Sequence, residues 1–434
     1  MNIECYLQNG EFTESAFANF NPIVEKLDQN VLYNAPVDLI VKFLAAFGKE
    51  LTRTVISEEG VFYLASWLRA SNLNHYLEIN LGDKTCLDTF VEKENHLSLR
   101  AQPRGVVCHW VAGNVPTLAI FSLVQSILAK NANILRVPKE TLPGVLKILK
   151  VLGGVQAEHQ GKVLRGAEVL KSIAVVYFPS ENPELNRQFS LAADCKVIWG
   201  GAEAVRSILA LPQREHCESI VFGPKYSFAV VDEESVAPAL CRRLAMDAII
   251  FEQEACSSPQ VVFCERKRGG ERPVAGSNGR YLPKLAVELA EAFRQVSPKY
   301  PKPVGGYAKV LNARGIYWLD PGKEIICSEA LDWTILVNNE LQLEEPVMSR
   351  TVFIKEVDSV FDVLPLITNK IQTVGIALKD RPKTLDFCEQ ATRRGVARCT
   401  AIGTMNNYDT PWDGILYINR LVRWTSMRMS EGAE

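Results

Sequence analysis

Apolar and polar residues follow two different periods along this chain, and the change between them divides it. Over the first hundred residues the apolar positions recur with a patchy helical spacing, and Val37 to Phe47 predicts an amphipathic helix. From Gly105 onward, short apolar segments alternate with amphipathic segments of helical length. The predicted strands are 105–111, 132–137, 173–178, 196–199 and 227–231, and the predicted helices between them are 117–130, 142–151, 181–193 and 202–211. This alternation is typical of a parallel, doubly wound sheet.

The length of the chain favours several domains. A sequence of 434 residues is too long for one ordinary core. The pattern predicts an α/β protein with a mostly helical N-terminal region over residues 1–104, α/β domains over 105–218 and 219–410, and a C-terminal segment over 411–434.

Composition narrows the classes of partner. The net charge of −2 gives no electrostatic case for nucleic acid or an anionic membrane. The longest apolar run, 118–129, is shorter than the ~20 residues that span a bilayer, and no leader is visible. Eleven cysteines without a C-x-x-C pair indicate reduced thiols, so we expect a cytoplasmic protein. The five histidines have no metal-ligand spacing, and we expect no metal.

One cysteine stands in an unusual segment, Phe251-Glu252-Gln253-Glu254-Ala255-Cys256-Ser257-Ser258-Pro259-Gln260. A thiolate can hold an acyl group covalently and so divides one difficult step into two easier ones. One cysteine among eleven is also explained as a small buried core residue. The segment therefore needs other features beside it before it indicates a nucleophile.

Two strand-to-helix junctions carry turns suited to ligand binding. Gly113-Asn114-Val115-Pro116 follows the first predicted strand, and Gly200-Gly201 follows the fourth. Ligands bind at the carboxyl ends of strands in an open parallel sheet, where an amide can donate to an oxyanion and a helix N-terminus can hold a phosphate. Each segment taken alone is also explained as a tight turn, and there is no G-x-G-x-x-G fingerprint.

In this order the segments resemble the aldehyde dehydrogenase superfamily and, within it, the LuxC-type acyl-CoA reductases. The resemblance runs from about Gly105 to Trp424 and is specific at the cysteine and Gly-Asn-Val-Pro segments. It implies an aldehyde dehydrogenase-like fold in which 105–218 is a Rossmann-like domain that binds NADP(H) and 219–410 carries the cysteine nucleophile.

The resemblance also implies roles for individual residues. Cys256 takes the place of the nucleophile, and Asn114 that of the oxyanion donor. The cofactor-binding positions are Arg136, Gly200, Gly201 and Glu345, with Glu344 as the neighbouring candidate for the last of these. Arg136 stands where the family commonly has a lysine, which favours a 2′-phosphate contact and hence NADPH.

One departure from the family distinguishes thioester reduction from aldehyde oxidation. Aldehyde-oxidising relatives have a glutamate that activates the hydrolytic water, and the matching position here is Val221. Valine cannot act as a base, so the acyl group should pass to or from a thiol instead of being hydrolysed. Glu218 and His216 lie a few residues upstream, but a strand that rises roughly 3.3 Å per residue would hold them away from the site, so we do not expect either to replace the glutamate.

These observations lead to one principal hypothesis and two alternatives. We expect NADPH-dependent reduction of a fatty acyl-CoA or carrier-bound acyl thioester to the aldehyde through an acyl-cysteine intermediate. The alternatives are an NAD(P)-dependent aldehyde dehydrogenase and an acyl-accepting subunit without hydride transfer. We also expect a homo-oligomer and consider an acyl-transferring protein as a partner.

Overall fold

The structure is a computed structural model that describes residues 2–56, 58, 60–94, 96–113, 116–267, 282–302 and 305–429, with the backbone alone at residue 116. The chain forms two compact units, one from Met1–Gly223 with Tyr408–Glu434 and the other from Pro224–Asn407. Within the described residues, no helix is both long enough and apolar enough to cross a membrane.

Strands and helices alternate through most of the chain. The strands are β1 (Ile3–Leu7), β2 (Ser15–Phe17), β3 (Val91–Glu92), β4 (Leu97–Pro103), β5 (Val106–Trp110), β6 (Ala132–Arg136), β7 (Gln156–His159), β8 (Lys162–Arg165), β9 (Ile173–Tyr177), β10 (Cys195–Trp199), β11 (Glu218–Phe222), β12 (Tyr226–Asp232), β13 (Val261–Glu265), β14 (Glu324–Cys327), β15 (Thr334–Val337), β16 (Thr351–Val357), β17 (Ile371–Ala377), β18 (Arg398–Ala401) and β19 (Val422–Arg428). The helices are α1 (Asn21–Val24), α2 (Asn30–Tyr33), α3 (Val37–Thr54), α4 (Val61–Trp67), α5 (Ala70–Leu81), α6 (Pro116–Leu128), α7 (Leu142–Gly153), α8 (Gly166–Val169), α9 (Pro183–Ala192), α10 (Ala202–Leu209), α11 (Pro238–Ile249), α12 (Lys284–Val296), α13 (Tyr307–Leu319), α14 (Arg381–Arg393) and α15 (Tyr417–Arg420).

The first unit is built on a seven-stranded sheet in the order β11-β10-β5-β6-β9-β1-β2. The strands from β11 to β9 are parallel, and β1 and β2 continue the sheet antiparallel. The chain proceeds from β5 to β6 and β9, and later adds β10 and β11 on the other side of β5. The strand order therefore reverses between β5 and β10, and the crevice at the carboxyl ends of such a pair is where ligands bind in open α/β sheets.

Both faces of this sheet are covered by apolar residues. Val107 belongs to a core with residues of α3, α6 and α7, whereas Val106, Cys108 and Trp110 belong to a second core with residues of α9. Successive side chains of a strand point to opposite faces, so a strand covered on both sides is apolar throughout. All five residues of β5 are buried, as this arrangement requires.

The second unit is a separate α/β sheet in the order β14-β15-β16-β13-β12-β17-β18. Its strands are parallel except β14, which is antiparallel to β15. Ala229 and Val231 pack with α11 and α12, and Phe228 and Val230 pack with residues of α13 and α14.

The predicted α/β architecture with two parallel sheets is confirmed, and the structure adds strands to the region predicted as helical. Ile3, Cys5 and Leu7 alternate with less buried residues in β1, which lies between β9 and the edge strand β2 of the first sheet. The division predicted at residue 219 falls inside β11. Because β11 pairs with β10, the first sheet extends to Phe222. The C-terminal β19 pairs with β4 and belongs to the first unit.

Candidate active site

Cys256 lies in the connection from α11 to the amino end of β13. All eleven cysteines belong to the described part of the chain, and Cys256 alone among them is exposed. Burial raises the pKa of the Cys5 and Cys86 thiols to about 11 and that of Cys241 to about 12. Such thiols stay protonated and have little contact with solvent. Cys256 is therefore the thiol best placed to act as a nucleophile.

Two runs of left-handed backbone meet beside the nucleophile segment. Residues 251–253 have φ angles of 49° to 62°, and residues 348–350 have φ angles of 53° to 63°. None of the six is glycine, and left-handed backbone costs such residues roughly 1–2 kcal/mol each. The two runs are joined where the Ser349 N–H donates to the Glu252 carbonyl at 2.8 Å.

A buried ion pair holds this strained junction together. The Arg350 side chain is only 2% exposed, and its Nη2 and Nε lie 2.5 and 3.0 Å from Glu252 Oε1. Its Nη1 donates to Ser297 Oγ at 2.9 Å. Backbone strain persists only where the surrounding contacts determine the conformation, and the ion pair supplies such contacts a few residues before the thiol.

Two glutamines fix the rest of the segment from inside. Gln253 Nε2 donates to the carbonyls of Pro259 and Thr351 at 2.8 and 3.0 Å, and Gln260 Nε2 donates to the Gln253 carbonyl at 3.1 Å. Both glutamine side chains are buried. The glutamines of this segment thus have a structural role, because they satisfy backbone groups around the turn that carries Cys256.

Glu254 is an acidic candidate that the sequence reasoning passed over. It is exposed and lies two residues before Cys256. Desolvation raises the pKa of its carboxyl, and the Glu252 charge adds to the rise. A carboxyl of raised pKa in this place can exchange a proton closer to neutral pH than an ordinary glutamate.

In the first unit, the predicted cofactor residues collect at one edge of the sheet. Arg136 ends β6, and Gly200-Gly201 follow β10; the intervening strand β5 pairs with both and leads to Gly113. Three adjacent parallel strands therefore deliver these residues to the carboxyl edge at which the strand order reverses. Asn114 lies outside the described residues, so its predicted oxyanion role stays a prediction.

Arg136 presents a guanidinium suited to an anion. Its Nη2 donates to the Phe178 carbonyl at 3.0 Å, and its Cζ lies 5.2 Å from the centroid of the Phe178 ring. Its Nε is buried and has no hydrogen-bond partner among the described residues. Burial lowers the pKa of Arg136. A guanidinium held at the carboxyl end of β6 fits the phosphate or ribose of a nucleotide.

Glu181 is an acidic residue whose carboxyl interacts with the charge of Arg136. Its own backbone N–H and the Ser180 hydroxyl lower the pKa of its carboxyl, and the Arg136 charge contributes. A carboxylate beside a nucleotide ribose favours a 2′-hydroxyl, whereas an arginine favours a 2′-phosphate. An acidic side chain therefore lies near Arg136, and the sequence pattern did not indicate it.

The Gly200-Gly201 turn leaves open space before α10. A Cβ built on Gly201 would meet no atom of the described residues within 4 Å, and its φ of −68° is open to any residue. The protein's own packing therefore does not demand glycine there. A phosphate approaching the first N–H groups of α10 would use this space, although Glu203 in the first turn weakens the attraction.

Glu344 and Glu345 differ in burial and in contacts. Glu344 is half-buried, and its Oε1 contacts Lys355 Nζ at 2.6 Å and Asn338 Nδ2 at 3.1 Å. Glu345 is exposed. Glu344 is thus committed to an internal ion pair, which leaves Glu345 as the carboxylate open to a ligand.

Glu218 is poorly suited to replace the glutamate missing at Val221. Val221 packs against the apolar core on one face of the first sheet. Glu218 pairs with Arg420 and lies 3.2 Å from Arg104 Nη2, so its carboxylate is already engaged.

Burial lowers the pKa of His109 to about 4, which keeps this ring neutral. Among the described residues, no group of histidine, cysteine and acidic side chains could hold a metal ion.

Sequence comparisons connect the chain to acyl-thioester reductases. The profile of the family described as "Acyl-CoA reductase (LuxC)" matches residues 36–424. The long-chain acyl-protein thioester reductase of Aliivibrio fischeri is 25% identical over 382 residues, covering 85% of this chain and 74% of the relative. The long-chain acyl-protein thioester reductase 2 of Photobacterium leiognathi is 23% identical over 379 residues, with the same coverages of 85% and 74%.

Several solved structures with the same fold are aldehyde dehydrogenases. A lactaldehyde dehydrogenase from Escherichia coli aligns with a TM-score of 0.65 at 13% identity, covering 98% of each chain. The indole-3-acetaldehyde dehydrogenase of P. syringae, solved as a mutant in complex with NAD+ and IAA, aligns with a TM-score of 0.66 at 10% identity, covering 98% of this chain and 93% of its own. The predicted aldehyde dehydrogenase-like fold is confirmed.

Proposed function

Because the chain belongs to the acyl-CoA reductase (LuxC) family, we propose that it reduces an acyl thioester to the aldehyde with NADPH, through an acyl group held on Cys256. The observation that carries this proposal is that Cys256 alone among eleven cysteines is exposed, in a segment fixed by a buried ion pair. The relatives named long-chain acyl-protein thioester reductases support a fatty acyl chain, carried by CoA or by a protein.

The reaction begins at the thiol. The Cys256 thiolate attacks the thioester carbonyl carbon, and a new C–S bond forms while the carbonyl oxygen becomes an oxyanion. Asn114 is the proposed side-chain donor to that oxyanion. The bond to the donor thiol then breaks, its sulfur leaves as a thiolate that takes up a proton, and the acyl group remains on Cys256.

The acyl group on Cys256 is then reduced and released. When bound, NADPH supplies the hydride that brings the acyl carbon to the aldehyde level. The C–S bond to Cys256 then breaks, which releases the aldehyde and regenerates the thiolate. In the first unit, Arg136 would hold the 2′-phosphate through its guanidinium, and the N–H groups after Gly200-Gly201 would face the pyrophosphate. Glu345 is the proposed ribose contact.

The absence of a base at Val221 decides the fate of the acyl group. Hydrolysis of a thioester needs a deprotonated water at the carbonyl, and a positioned base supplies about 10²–10⁴-fold of that rate. Val221 is apolar and partly packed in a core, and Glu218 is engaged by arginines. The acyl-enzyme should therefore be reduced faster than it is hydrolysed.

The proposal also includes the compartment and the partners of the protein. None of the eleven cysteines, all within the described ranges, is paired in a disulfide. We therefore place the protein in a reducing compartment such as the cytoplasm. Homo-oligomerisation and an acyl-transferring partner protein remain part of the proposal.

A mass measurement tests the proposal directly. Protein incubated with a long-chain acyl-CoA but no NADPH should gain one acyl group on the peptide containing Cys256, and added NADPH should remove it as aldehyde. Cys256→Ser should gain none, whereas Cys217→Ser, which alters a half-buried thiol, should behave like the wild type. An adduct on another cysteine would refute the assignment. Aldehyde oxidation to acid by the wild type would favour an aldehyde dehydrogenase, and acylation without reduction would favour an acyl-accepting subunit.

A further inference from the structure

A buried serine contacts the backbone of Cys256 itself. Ser227, at the start of β12, is fully buried, and its hydroxyl donates to the Cys256 carbonyl at 2.6 Å. The same oxygen accepts the Thr373 N–H from β17 at 3.1 Å. The Cys256 carbonyl is thereby tied to two neighbouring strands of the second sheet.

An asparagine holds the two residues that follow the thiol. The hydroxyls of Ser257 and Ser258 both donate to Asn406 Oδ1, at 2.7 and 3.0 Å. The Asn406 Nδ2 donates in turn to the Asp247 carbonyl in α11, at 2.8 Å. The side chains of Ser257, Ser258 and Asn406 are all buried, so these bonds are shielded from exchange with water.

We propose that Ser227 and Asn406 are positioning residues that hold the peptide after Cys256 in one orientation, so that the thiol meets the acyl carbonyl along a productive line. This inference rests on the proposed function of Cys256 as the nucleophile. Ser227 fixes the Cys256 carbonyl and Asn406 fixes the next two side chains, so the backbone that carries the thiol has little freedom to turn.

The two residues act on the orientation of the thiol through its backbone. Their hydrogen bonds are made to the Cys256 carbonyl and to the hydroxyls of the following serines. Attack on a bound thioester depends strongly on alignment, and a misplacement of about 1 Å can cost about 10²-fold. Alkylation by a small freely diffusing reagent depends mainly on thiolate content and access.

The experiment compares these two reactions in Ser227→Ala. The rate of Cys256 acylation at saturating acyl-CoA should fall about 10-fold or more, while iodoacetamide alkylation of Cys256 and its pH profile stay within about twofold of wild type. Ser172→Ala is the matched control, because Ser172 is also fully buried and its hydroxyl donates to a carbonyl, Val169, at 2.7 Å. Acylation by Ser227→Ala at the rate of this control would overturn the inference, as would an equal loss in both reactions.

A second set of variants tests the Asn406 contact without altering Ser227. Since Ser257 and Ser258 share one acceptor, either single alanine variant leaves one hydroxyl on Asn406 Oδ1. The double variant should lose more acylation rate than the product of the two single losses. Multiplicative losses, or none, would overturn the Asn406 role. A wild type that forms no Cys256 adduct would refute the proposed function, whereas an acylating wild type with unaffected variants would refute only this inference.

Discussion

Asp247 offers a quantitative test of the packing behind the nucleophile segment. This residue of α11 is only 1% exposed, and its carboxylate accepts the Gly403 N–H at 2.5 Å. Burial raises the pKa of its carboxyl from 3.8 to about 7, and the Gly403 N–H and the Arg398 and Arg243 charges only partly oppose the rise. The perturbation is Asp247→Asn, which keeps the shape of the side chain and removes its titration.

The expected effect follows from the two pKa values. Because the folded-state pKa lies above the unfolded one, the folded protein binds this proton more tightly. The resulting stabilisation is fully present below the unfolded value of 3.8 and is lost as the pH rises through about 7. The whole difference corresponds to about 4 kcal/mol, of which about 3 kcal/mol is lost between pH 5 and pH 8. The unfolding free energy of Asp247→Asn, measured relative to that of the wild type, should therefore rise by about 3 kcal/mol from pH 5 to pH 8.

The assay is urea unfolding of both proteins from pH 5 to pH 8. Hydrogen exchange in peptides from residues 224–407 reports the unfolding. Comparing wild type with variant at each pH cancels the titration of every other group. A difference in unfolding free energy that stays constant over this range would show that Asp247 titrates near its ordinary pKa. A difference of opposite slope would show that the Gly403 N–H and the arginines stabilise the ionised form.

The remaining predictions concern the cofactor and the reaction. Arg136→Ala should weaken the binding of NADPH by about 10-fold or more and the binding of NADH much less, as titration of both cofactors would show. Equal losses of affinity would exclude a 2′-phosphate contact. Glu181→Gln should raise the affinity for NADPH about fivefold relative to the affinity for NADH. An unchanged ratio of the two affinities would place this carboxylate away from the ribose. Asn114→Ala should lower kcat by about 10²-fold with cofactor affinity retained, and a wild-type kcat would leave Asn114 a turn residue only. Val221→Glu should raise the ratio of fatty acid to aldehyde by about 10-fold in folded, cofactor-binding protein, and an unchanged ratio would remove position 221 from the control of hydrolysis.

The alternation of strands and helices was predictable because each buried strand is a short apolar run. The segment 105–111 indicated β5, and 173–178 indicated β9, since both strands are covered on two faces and are mostly apolar, with His109 the polar exception in β5. The strand β1 was missed although Ile3, Cys5 and Leu7 carry its alternation, because five residues are a weak signal beside a helical region.

The contacts of the candidate site could not be predicted, because they join residues far apart in sequence. Glu252 and Arg350 are separated by 98 residues. Left-handed backbone usually occurs at glycine. The sequence therefore did not predict the left-handed conformation of Phe251. The choice between Glu344 and Glu345 also needed the structure, because only the position of Lys355 shows which of them is engaged.

The discontinuous first unit has a consequence for the order in which the protein can assemble during synthesis. Its core includes Tyr417, whose hydroxyl contacts Ser122 Oγ at 2.9 Å, and Leu421, whose carbonyl accepts from Asn131 at 3.0 Å. The ribosome makes these residues only after all of Pro224–Asn407. The second unit can therefore close while the first still lacks part of its interior, and a chain cut short after Asn407 would leave that interior open to chaperones and proteases.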